Sequence, residues 1–208
     1  MLRASLLLAP VLAAVVAAPV RAQATGAAQP ARAAQPPRVE ASGRATTQVT
    51  VTARPAGAAR PTSQVVRIDY GQPHARGRAA AGGLVPYDQV WRTGANASTT
   101  LTTETDLEIG GTRVPAGTYS LYSLLGRSDW KLVINRQTGQ WGTEYDATRD
   151  VARVNMTLRQ SPAPAESFTM TLVPSGTAPL EGTLALSWGT LQGSVPWRVL
   201  PAAGAARR

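Results

Sequence analysis

The chain has 208 residues, 43% of them hydrophobic and 16% charged, enough for one packed domain with extensions. It contains no Cys and a single His, His74. A disulfide framework, a thiolate nucleophile, a Cys-ligated zinc site and a His-rich metal cluster are therefore excluded. The formal charge of +9 suggests nucleic acid until it is located. Residues 25–63 hold Arg32, Arg38, Arg44, Arg54 and Arg60 against Glu40. Arg3 and Arg21 lie at the start of the chain, Arg207 and Arg208 at its end, so residues 64–200 are left with only +1. A basic face on a folded domain binds phosphates. Arg scattered through Ala/Pro-rich extensions does not build one, so no nucleic-acid partner is expected.

Residues 1–24 read as a secretory signal peptide: Arg3, then an apolar run from Ala4 to Val20, then Ala22-Gln23-Ala24 as an A-x-A cleavage site. The run is broken by Pro10 and Pro19 and is short for a bilayer span of about 20 residues. The expectation is an exported protein, periplasmic or secreted, cleaved after Ala24, with no transmembrane segment. Residues 25–43 are rich in Ala, Gln, Pro and Arg and read as a disordered linker, because they offer too little apolar surface to offset chain entropy.

Residues 44–200 read as the folded domain, and 201–208 as a flexible tail. The β-branched run ATTQVTVTA (residues 45–53) predicts a first strand, followed by a Pro/Gly loop over residues 54–62. From Gln64 the apolar residues recur with period two: Val66, Ile68, Tyr70; Leu107, Ile109; Trp130, Leu132, Ile134; Val154, Met156, Leu158; Phe168, Met170, Leu172; Leu184, Leu186, Trp188; Val195, Trp197, Val199. Successive strand side chains alternate faces, so each run has one core face. Turn signals separate the runs at Gly110-Gly111, Pro115-Ala116-Gly117, Gly126 to Asp129, Pro174-Ser175-Gly176 and Gln192-Gly193. The one helix-tolerant piece is Tyr145 to Arg149. This pattern predicts an all-β fold, an antiparallel β-sandwich of jelly-roll-like type, in a single domain with a disordered N-terminal arm.

Between two strand-like regions lies GGLVPYDQVWRTGAN (residues 82–96), a long aromatic-rich connection. Together with VPAGTYSLYSL and QWGTEYDATRDVARV it resembles a bacterial secreted family known only as domain of unknown function 2911, over roughly residues 45–199. The resemblance implies an exported β-sandwich-like domain and no established reaction. The chain departs from the family pattern in three places. Ala80 and Ala81 stand where a bulky aliphatic and an aromatic are expected, Ala97 replaces a Glu, and Gln72 replaces an Arg before Pro73. If the first two positions are core, truncation costs about 2–5 kcal/mol each unless neighbours fill the space.

No G-x-S-x-G elbow is present, and His74 lies in a Gly/Pro/Arg loop, so no catalytic residue is assigned. Glu104, Asp106 and Glu108 share one face if a strand runs through all three; Glu144, Asp146 and Asp150 form a second acidic group without EF-hand spacing. The simpler reading of both is solvated surface, and neither a metal nor a cofactor is assigned. Tyr87, Trp91, Arg92, Asn96, Trp141 and Tyr145 come from two loops that could converge at one end of the sandwich. Rings that stack, with Arg and Asn as donors, suit a small polar or carbohydrate ligand. The competing reading is structural: tryptophans plugging the core and polar groups satisfying loop backbone. The biochemical function is unknown. The expectation is a non-enzymatic binding or structural module of the cell envelope, contacting such a ligand or another envelope component. The alternative is a hydrolase acting on a sugar-like or cell-wall substrate through loop carboxylates.

Overall fold

A computed structural model describes residues 42–53 and 60–200. The expected signal peptide, most of the linker and the expected tail lie outside the described residues. Among those described there is no α-helix, and no helix long and apolar enough to cross a membrane.

Ten antiparallel strands follow in order: β1 (Arg44–Ala53), β2 (Thr62–Gly71), β3 (Val90–Trp91), β4 (Thr99–Thr103), β5 (Leu107–Ile109), β6 (Thr112–Val114), β7 (Gly117–Leu125), β8 (Trp130–Asn135), β9 (Asp150–Pro174) and β10 (Glu181–Val199). They make one sheet in the order β1-β2-β4-β7-β8-β9-β10-β5-β6. β3 pairs with β7 through Val90↔Leu124 and Trp91↔Ser123, just beyond the Thr99↔Leu121 end of the β4–β7 ladder.

The sheet doubles over along its two longest strands. The first part of β9 pairs with β8 (Trp130↔Met156 to Asn135↔Asp150), and the rest pairs with β10 (Ser194↔Thr157 to Gly182↔Pro174). The far end of β10 then pairs with β5. Two layers result, face to face and continuous through β9. Val66, Ile68, Leu101, Leu121 and Leu132 of one layer enclose, with Leu107, Ile109, Leu172, Leu184 and Trp197 of the other, a gap of only about 10 Å³. The apolar members of the period-two runs supply this core: Val66, Ile68, Leu132, Ile134, Phe168, Leu186 and Val195 are at most 1% exposed. Fully burying side chains of this size is worth about 1.5–3 kcal/mol each.

One local expectation needs correction. Gln192-Gly193 is not a turn; both residues are paired inside β10. The runs at Val154 and Phe168 both belong to one strand, β9. The β9–β10 ladder instead bends at register shifts around Gly189, whose φ of 55° lies in the left-handed region that favours glycine. The helix-tolerant segment forms a single 3-10 turn, Ala147–Arg149, capped by the Asp146 carboxylate accepting from Thr148 N.

The bend accommodates Ala80, where the sequence resemblance implied a bulky side chain. Ala80 is 5% exposed, and a Cβ added at Gly189 would lie 3.1 Å from its Cβ. The hairpin comes in close enough that no bulky side chain is needed there. Phe168 sits beside the bend, with ring centroids 5.1 Å from Trp91, 5.6 Å from Tyr70 and 6.0 Å from Trp188. Phe168→Ala is expected to lower unfolding free energy by about 3–5 kcal/mol, measured by chemical denaturation; a change under about 1 kcal/mol would show the cluster to be loosely packed.

Candidate functional site

The outer face of β7 and β8 is covered where the sequence pattern predicts polar surface. Ser120, Tyr122, Val133 and Asn135 are at most 1% exposed although they alternate with the core-facing positions. The segment between β8 and β9 folds over them. Tyr122 Oη donates to Glu144 O at 3.0 Å and accepts from Gln140 Nε2 at 2.8 Å. Asn135 Nδ2 donates to Asp146 O and to Asp150 Oδ1, both at 2.8 Å. Buried polar groups need such partners.

The connection at residues 82–96 meets this segment from the other side. Its shape is fixed by strained backbone: Asp88, Thr93 and Asn96 have φ of 58°, 50° and 62°. Thr93 is the costliest, since a β-branched residue is a rare occupant of that region. It is fully buried, and its carbonyl accepts from Thr99 Oγ1 at 2.7 Å. Asn96 O accepts from Gly142 N at 3.0 Å, and Asn96 Nδ2 donates to Ser42 O at 3.2 Å. A Cβ at Gly142 would fall 2.5 Å from Arg92 Cδ and 2.6 Å from Asn96 O. Only glycine lets the Arg92 stem lie against this backbone.

The two segments enclose an open cleft of about 270 Å³, lined by Leu84, Val90, Trp91, Arg92, Tyr122, Gly142, Thr143 and Tyr145. Three of the six residues singled out in the sequence, Trp91, Arg92 and Tyr145, therefore meet. The Trp91 ring belongs mainly to the core: the residue is 9% exposed and stacks on Trp188 at 5.7 Å and 19°. The other three do not line the cleft. Tyr87 is half-buried against the rest of the connection, with the Arg127 guanidinium 5.1 Å above its ring. Asn96 ties loop backbone. Trp141 bridges Ala97 and is 49% exposed.

Tyr122 was missed, although an aromatic on the polar face of β7 is the signal that would have found it. Its ring lies 4.8 Å from that of Tyr145. Tyr145 Oη donates to Asp150 Oδ2 at 2.6 Å and accepts from Arg153 Nη2 at 2.9 Å. Burial, then the hydrogen bond to Asp150, pushes the Tyr145 hydroxyl up to about 12.

The acidic groups do not converge. β4 ends at Thr103 and β5 begins at Leu107, so Glu104, Asp106 and Glu108 are not on one strand face. Glu104 accepts from Val65 N, Asp106 pairs with Arg113, and Glu108 pairs with Arg198 at 2.8 Å. Asp146 caps the 3-10 turn, and Asp150 pairs with Arg153 at 2.8 Å. His74 Nδ1 lies 2.8 Å from Ser167 Oγ, a pairing absent from the sequence reading, and neither residue lines the cleft.

Because the folded-state value of Tyr145 is raised, its contribution to stability is fully present below pH 10 and is lost as pH climbs from 10 through about 12. Tyr145→Phe is expected to flatten the decline of unfolding free energy across that window; an identical decline in both proteins would contradict the assignment.

Comparison with curated proteins and with solved structures gave no match. A family profile does match, over residues 55–197, more than half of the chain. The covered span includes the whole cleft and both segments that build it, and the protein belongs to the family described as protein of unknown function, DUF2911.

Proposed function

We propose that this chain is a non-enzymatic binding module of the cell envelope, exported with its leader removed after Ala24, and that its ligand occupies the cleft between residues 84–92 and 142–145. The observation that carries this is Arg92. Its side chain lines the cleft without an ion pair among the described residues, its one hydrogen bond to a described residue being Nε to Gly94 O at 3.4 Å. The strained Thr93 and the bare Gly142 hold it there. Strain kept beside a concavity is a recurrent mark of a working site.

Catalysis has less support. The titratable residues lining the cleft are Arg92, Tyr122 and Tyr145, and both phenols are engaged internally. Neither a carboxylate pair nor His74 faces it. A hydrolase acting through loop carboxylates would need two such groups around one concavity.

A thermal-shift screen of the purified protein against sugars, cell-wall fragments and divalent ions tests the reading. A ligand held at 100 times its Kd adds about 2.7 kcal/mol, which for a chain of this size raises Tm by about 5–10 °C. Gly142→Ala, which displaces Arg92, is expected to abolish that rise while the variant still melts cooperatively. A ligand whose shift survives Gly142→Ala unchanged would place binding elsewhere.

A further inference from the structure

The donors and acceptors of the cleft narrow the ligand further, given the binding reading above. The lining residues include no side-chain carboxylate and no side-chain amide. The hydroxyl groups of a neutral sugar donate as well as accept, and the Thr143 hydroxyl is the one unengaged side-chain acceptor among the lining residues. Both phenols in the cleft are also committed. The Tyr122 hydroxyl donates to Glu144 O and accepts from Gln140, and the Tyr145 hydroxyl donates to Asp150 and accepts from Arg153. Tyr122, 1% exposed, offers the ligand almost no surface, and half-buried Tyr145 offers ring rather than polar atoms. The unengaged side-chain groups are the two terminal nitrogens of Arg92 and the hydroxyl of Thr143, which make no hydrogen bond to any described residue.

A guanidinium presents parallel N–H groups that match a carboxylate in bidentate fashion. The same lining includes the half-buried Tyr145 ring with Leu84 and Val90, an apolar surface suited to a flat body. The volume of about 270 Å³ admits a ligand of one or two rings. We infer that the cleft takes a planar aromatic monocarboxylate, its ring against Tyr145, Leu84 and Val90 and its carboxylate on Arg92.

Binding of 2-naphthoate, of its neutral counterpart 2-naphthamide and of glucose to the full protein tests this by calorimetry, with ring signals of Tyr122 and Tyr145 followed by NMR to locate the probe. The naphthoate is expected to bind at least about tenfold more tightly than the amide, as for a hydrogen-bonded pair with a charged group. Its affinity is expected to fall between about 0.05 M and about 1 M salt while that of the amide holds. Arg92→Gln is expected to bring the two affinities within about twofold, mainly through loss of naphthoate affinity. If that variant does not fold, the salt series on the unaltered protein decides the same question. Equal binding of amide and acid, or tighter binding of glucose, would overturn the aromatic-acid assignment and leave the cleft a binding site. Failure of every probe to shift either tyrosine, together with no cleft-dependent ligand in the wider screen, would overturn both.

Discussion

The structure depends on the packing of Phe168 between the two layers. Its ring meets Tyr70 of β2, Trp91 of β3 and Trp188 of β10. Edge-to-face pairs of this kind add about 0.5–1.5 kcal/mol beyond burial of their area. The backbone repeats the connection. Phe168 N donates to Pro73 O at 2.9 Å, Ala75 N donates to Glu166 O at 2.8 Å, and Trp188 Nε1 donates to the same Glu166 carbonyl at 3.2 Å. The bend in the β9–β10 hairpin, the end of β2 and the aromatic connection are thereby joined at one point.

That junction sets the position of the cleft. Trp91 is anchored inward, so Arg92, the next residue of the chain, is directed to the outer face of the sheet. Left-handed Thr93 then turns the chain back toward β4. The segment after β8 needs somewhere to lie, and the buried polar groups of β7 and β8 provide it through Tyr122, Ser120 and Asn135. Strain in one segment and buried polar pairing in the other thus meet at Gly142, where lack of a side chain lets them touch. The surface ion pairs around them, such as Arg67–Asp69 and Arg198–Glu108, contribute little by comparison.

Much of the layering was legible in the sequence because period-two burial is a local signal. Val66, Ile68 and Tyr70, or Phe168, Met170 and Leu172, face inward for the reason their spacing implies. The continuity of β9 and β10 was not legible. Gln192-Gly193 has the composition of a turn, and only the partner strand reveals that it is a paired stretch. The candidate site was half legible. Aromatic and basic residues in two loops were expected to converge, and Trp91, Arg92 and Tyr145 line one cleft. Whether a ring faces a cleft or a core is decided by tertiary neighbours, which is why Trp91 lies largely in the core and Trp141 lies outside the lining. Tyr122 escaped notice because it sits between core positions of a strand, on a face expected to be wet.

Native-state hydrogen exchange at the Phe168 and Ala75 amides tests the junction most directly. If the aromatic cluster joins the hairpin bend, β2 and the cleft-forming connection into one cooperative unit, both amides exchange only through global unfolding, with the same free energy and denaturant dependence as the slowest amides of β7 and β8. Exchange of either amide through a local opening several kcal/mol below the global value would show that the connection detaches from the hairpin on its own, and would contradict the account.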